Sequence, residues 1–272
     1  MRKKPLELSL YTAGAGAFSV FLRWLQDQLA FNDAGLVDKS AFNVILPVFL
    51  AVTAAVFVHF INLEKREQYV VPEDFDRALL HEGRLYRIAR NAIGVMMVLG
   101  ALLLFASSET DKLVRMLQLL ALLGVLTGLS FPLLLAQAGK KRNSPALLCL
   151  LSSVPILFFG VWLLYSYRAN SINSVIWAYI TEIAAASMGM VAFWRVAGLA
   201  FGTVKGQRLR FDLMFTAVLF LMTMADERYL GMHIMFLSAA LMLMFYNWVL
   251  TDNLEKRERR EETPEDGFER LS

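Results

Sequence analysis

Apolar residues gather along this chain into eight runs separated by short polar breaks, at roughly 8–27, 41–62, 91–107, 115–138, 144–166, 172–202, 211–226 and 229–250. Most run for 17 residues or more, the length a helix needs to cross the hydrocarbon core of a bilayer. Backbone groups in lipid have no water to bond, so each run predicts a helix that satisfies them internally. A transmembrane β-barrel would alternate apolar and polar positions in segments of about ten residues, which this chain does not do. The first run follows Arg2, Lys3 and Lys4, as a signal peptide would. It continues through FSVFLRWLQ past the small stretch AGAGA at 13–17, and so predicts an uncleaved first span. The expected fold is all-α: a polytopic integral membrane bundle of eight transmembrane helices over residues 1–252.

Two polar segments stand apart from the runs. In residues 63–90, Pro72 followed by Glu73 and Asp74 is a helix-start signal. Phe75, Leu79, Leu80 and Leu85, interleaved with Arg77, Arg84 and Arg87, predict a short basic amphipathic helix. Its apolar face is expected against the membrane or the inner ends of the bundle, with Glu82 and Arg84 in water. Residues 253–272 form a charged tail with few apolar groups, for which disorder is expected.

Charge adds an orientation. With the N-terminus inside, 20 of the 27 Lys and Arg fall in segments 1–7, 63–90, 139–143, 203–210 and 251–272. Five fall on the opposite side, and Arg23 and Arg195 fall within spans. Cytoplasmic loops carry the basic excess in multi-span proteins. Both termini are therefore expected in the cytoplasm of a cell-membrane protein, with 28–40, 108–114, 167–171 and the turn at 226–228 outside. Composition agrees: 57% of residues are hydrophobic and 19% charged, against about 45–50% and 25% in soluble domains. The net charge of +3 is dispersed among loops, which argues against a nucleic-acid footprint. The expected partners are the lipid bilayer and either a protein partner or further copies of this chain.

Ionisable side chains inside spans are costly and become candidate functional groups. Arg23 and Asp27, four residues apart in the first span, share a helical face and can pair. Glu182 in the sixth run lies in a seam of small residues, Ala178, Ala185, Ala186, Gly189 and Ala192, that admits a close helix. It is expected about six residues from the middle of its span. Arg195 lies about 220° around that helix from Glu182, so the two do not pair, and Arg195 is expected to reach the inner interface beside Trp194. Asp226 and Glu227 occupy the turn ADERY, which is expected to be solvated. His59 and His233 read as interfacial histidines.

Several chemistries lack their residues. No lysine lies within a run, so a retinal Schiff base has no attachment point. His59 and His233 sit at opposite depths, which does not suit haem ligation between them. There is no P-loop, HExxH or CxxC motif, and the single Cys149 cannot form an internal disulfide. No cofactor, metal or catalytic constellation is expected. Two functional readings remain. One is a small solute or ion permease whose pathway involves Glu182, Arg23, Asp27, Asp226 and Glu227. The other is a non-catalytic subunit, sensor or scaffold that binds a protein through its cytoplasmic segments.

Overall fold

The computed structural model describes residues 5–30, 41–81, 83–108, 112–138, 144–170 and 179–256. Its elements are α1 (Pro5–Leu29), α2 (Phe42–Arg66), β1 (Tyr69–Val70), α3 (Phe75–Leu79), α4 (Arg84–Ser107), α5 (Val114–Leu135), α6 (Pro145–Asn170), α7 (Ile180–Ala200), α8 (Gly206–Met222), α9 (Leu230–Asp252) and β2 (Glu255–Lys256). Each apolar run thus holds one long helix, and short connections make neighbours antiparallel. Tyr11 near the start of α1 meets Phe57 near the end of α2, while Gln26 near the end of α1 bonds Asn43 at the start of α2.

Six helices, α2, α4, α5, α6, α7 and α9, are long and apolar enough to cross a membrane. The more polar α1 and the 17-residue α8 do not belong to that set. The bundle has a centre and a rim. In the apolar stretch of α9, 67% of residues are buried, against 22% in α2. Central α8 packs against α9, α1, α7 and α2. The rim turns aliphatic residues outward: Val48, Val52 and Val58 on α2, Leu99 and Leu102 on α4, Leu122 and Leu133 on α5, Leu150 and Leu157 on α6, each 46–61% exposed. So wide an apolar surface is at home against lipid tails and not against water. The chain forms a helical membrane bundle.

Close backbone approach fixes α4 against α5. A Cβ added to Gly94 would lie 2.6 Å from the Gly128 oxygen, and one on Gly128 would lie 2.7 Å from the Gly94 oxygen. Only glycine leaves room for that seam.

The end of the bundle where α9 terminates is closed by a clip. β1 and β2 pair antiparallel, Tyr69 opposite Lys256 and Val70 opposite Glu255. Asn253 Nδ2 donates to the backbone oxygens of Ala78 and Leu80, both at 2.9 Å. These bonds cover the exposed carbonyls at the end of α3. The tail therefore contributes ordered structure as far as Lys256, and the rest of the expected disordered segment lies outside the described residues. The amphipathic segment also differs from expectation. Its helix, α3, is five residues long and buries Phe75 and Leu79, but Leu80 is 41% and Leu85 82% exposed. The chain breaks at Gly83, and RLYRIAR then starts α4 seven residues before the apolar run. Leu85 therefore belongs to a different helix from Leu79. Glu82 lies outside the described residues.

Candidate functional site

The opposite end holds a polar cleft, and helix length explains why it exists. At about 1.5 Å per residue, 17-residue α8 spans about 25 Å, whereas 26-residue α6 spans about 39 Å. The chain leaves α8 through a 3₁₀ turn, Thr223–Ala225, and enters α9 at Leu230. The intervening Asp226 and Arg228 are thereby sunk among longer neighbours. Asp226 meets α1 at Arg23, well before the last residue of that helix, Leu29.

Asp226 is the hub of a buried charge network. Its Oδ1 accepts from Arg23 Nε at 2.8 Å. Its Oδ2 accepts from Thr181 Oγ1 at 2.9 Å and from Arg228 at 2.7 Å. Arg228 also faces Glu182, with Nε 3.3 Å from Oε2. The other Glu182 oxygen accepts the indole N–H of Trp162 at 2.6 Å. The guanidinium of Arg228 lies 5.2 Å from the Phe236 ring centroid, within cation–π range. His233 Nε2 is hydrogen-bonded to the backbone oxygen of Asp226 at 2.9 Å. Arg23 donates a second bond to Gln26, which in turn donates to Asn43 of α2. Side chains of Arg23, Asp226 and Arg228 are 2%, 8% and 6% exposed. Buried charges survive because each is paired and hydrogen-bonded.

Above the network opens a cleft of about 650 Å³, within the usual range for small-molecule sites. Its lining includes Arg23, Asp27, Glu182, Asp226, Glu227 and Arg228, with Tyr165, Tyr179 and Tyr229. Below lies a buried aromatic layer. Trp162 packs 4.1 Å from Phe236 between ring centroids, Phe236 5.2 Å from Phe220, and Phe220 5.1 Å from Phe159. All four are fully buried.

The structure therefore brings Arg23, Asp27, Glu182, Asp226 and Glu227 to one cleft. Three local expectations are replaced. Arg23 turns to Asp226 and not to Asp27, which is exposed. The ADERY turn is not a solvated loop, because short α8 draws Asp226 and Arg228 inward; Glu227 alone stays exposed. Glu182 sits in the first turn of α7, at the helix end and farther out than the expected six residues or so from the middle of its span, since that helix begins at Ile180. Residues 171–178, with Ala178 of the expected seam, lie outside the described residues. The remainder of the seam, Ala185, Ala186, Gly189 and Ala192, is buried. Arg228, expected in the outside turn, and Trp162, which no motif marks in the sequence, prove to be partners of Glu182.

Other ionic groups hold the clip end. Arg195 pairs with Asp212 of α8 and does not simply extend beside Trp194. Asp212, an acid inside the seventh run, is the signal in the sequence for that pair. Arg210, assigned to a cytoplasmic loop, is buried in α8, donates to both carboxylate oxygens of Glu64 on α2, and reaches Asn247 of α9 at 3.3 Å. The loop assignment failed because α8 begins at Gly206, before its apolar run. His59 is exposed on α2 beside Phe60. No protein family, curated protein or solved structure matches this chain.

Proposed function

We propose that this chain is a multi-pass permease for a small polar solute or ion, and that the cleft is its solute site. All eight long helices cross the membrane in this reading. The basic connectors and both termini lie in the cytoplasm, and the cleft opens outward. The observation that carries it is the pairing of an open polar cleft with a fully buried aromatic floor. Solute sites in membrane bundles are water-reachable, polar and buried among helices. A seal on the far side is what alternating access requires. Ion pairs Arg195–Asp212 and Arg210–Glu64 hold α7, α8 and α2 together beyond that seal.

The scaffold reading is weaker for a specific reason. Phe75 and Leu79 of the long connector are buried against this chain's own bundle and tail. The apolar residues that stay exposed, Leu80 and Leu85, lie on either side of the break at Gly83 and do not form one helical face for a partner.

Uptake decides the matter. Purified protein in proteoliposomes, supplied with labelled amines, carboxylates and polyols, is expected to carry one class above empty liposomes. Glu182→Gln, which retains an acceptor for Trp162, is expected to fold and to lose that uptake. No uptake of any class, or full uptake by Glu182→Gln, contradicts the proposal.

A further inference from the structure

We infer that the cleft takes an organic cation: a compact, ammonium-bearing solute. This rests on the permease reading and names the substrate class of the same site. Among the described residues, six acidic or basic side chains line the cleft, and four of them (Asp27, Glu182, Asp226, Glu227) are acids against two bases, a formal balance of −2 over those six. The two bases are engaged inside the protein. Arg23 binds Asp226 and Gln26. Arg228 is shared by Asp226, Glu182 and the Phe236 ring. Two acids, Asp27 and Glu227, are exposed, so an entering solute meets carboxylates before it meets guanidinium.

The rest of the lining points the same way. Tyr165, Tyr179 and Tyr229 line the cleft, and tyrosine rings attract ammonium groups over their faces within about 6 Å. An anion would enter against the net charge and would have to displace Asp226 or Glu182 from a buried guanidinium, stranding a charge. A tightly ligated metal ion is the poorer fit. Among the described residues, no three His, Cys, Asp or Glu side chains are grouped so as to share one.

The test uses probes of one shape and three charges: tetramethylammonium, pivalate and neopentyl alcohol. Full-length protein in detergent is titrated with each while its unfolding temperature is followed, since a ligand of the native state raises it. Tetramethylammonium is expected to give a saturable rise, the other two none. The double variant D27N/E227Q, altered only at exposed positions, is expected to bind tetramethylammonium about tenfold more weakly. Equal or tighter binding of pivalate or the alcohol, no response to the cation, or undiminished affinity in the double variant overturns the inference. Proteoliposome uptake separates the two proposals. A cation that binds without being carried overturns the permease and leaves the cation site; a carried anion does the reverse.

Discussion

Trp162 and Glu182, on adjacent helices α6 and α7, are joined by a 2.6 Å hydrogen bond from the indole N–H to the carboxylate. The same carboxylate balances Arg228 with its other oxygen. One side chain thus connects the charged network of the cleft to the aromatic floor beneath it. Removing either function of that carboxylate has a different consequence, and the difference is measurable.

Glu182→Gln keeps an acceptor for Trp162 but leaves Arg228 with Asp226 as its remaining carboxylate. Glu182→Leu removes acceptor and charge together. Breaking a buried pair by deleting one partner costs about 3–5 kcal/mol, so the leucine variant is expected near that loss and the glutamine variant well below it. Equilibrium unfolding in detergent measures both. Wild-type stability in Glu182→Leu would show that the carboxylate holds nothing.

The glycine seam makes a paired prediction. The Cβ of Gly94→Ala would press on the Gly128 oxygen, whereas that of Gly160→Ala would meet only Met190 Sδ at 4.0 Å. Overpacking a tight contact costs about 1–3 kcal/mol, while alanine in open helix favours the fold by up to about 1 kcal/mol. Melting temperatures are expected to fall for Gly94→Ala and to hold or rise for Gly160→Ala. The reverse order contradicts the seam.

Much of the architecture was legible because apolar runs of membrane length leave the backbone one option. The gathering of Arg23, Asp27, Glu182, Asp226 and Glu227 was partly legible too, as charge at one end of several runs. What could not be read was pairing across helices. Arg23 and Asp27 are correctly spaced for a local pair, yet Asp226, 203 positions away, takes the guanidinium. Helix spacing describes neighbours along one helix, whereas the partner here is set by how deep a short α8 drops its turn. Arg210 eluded the reading for a related reason. A basic residue beside an apolar run looks like a loop charge until the helix is seen to start earlier.

The clip can be opened without touching the bundle. Asn253→Ala removes both side-chain bonds to the Ala78 and Leu80 carbonyls. Arg77 is 70% exposed but held in α3, and proteases require local unfolding of such a segment. Tryptic cleavage after Arg77 is expected to accelerate several-fold in Asn253→Ala, with the melting temperature of the bundle little changed. Equal cleavage rates would mean that the tail does not secure α3.

The central claim is that water and solute reach the network from outside the cell. Ala169 is an exposed residue of the cleft lining, and Ser144 is exposed near the start of α6, at the opposite end. With Cys149 replaced by alanine, Ala169→Cys and Ser144→Cys are each treated in intact cells with an impermeant cationic thiol reagent. The account predicts modification of Ala169→Cys, slowed by tetramethylammonium, and modification of Ser144→Cys only after permeabilisation. Reaction of Ala169→Cys only after permeabilisation, or not at all in purified protein, contradicts it.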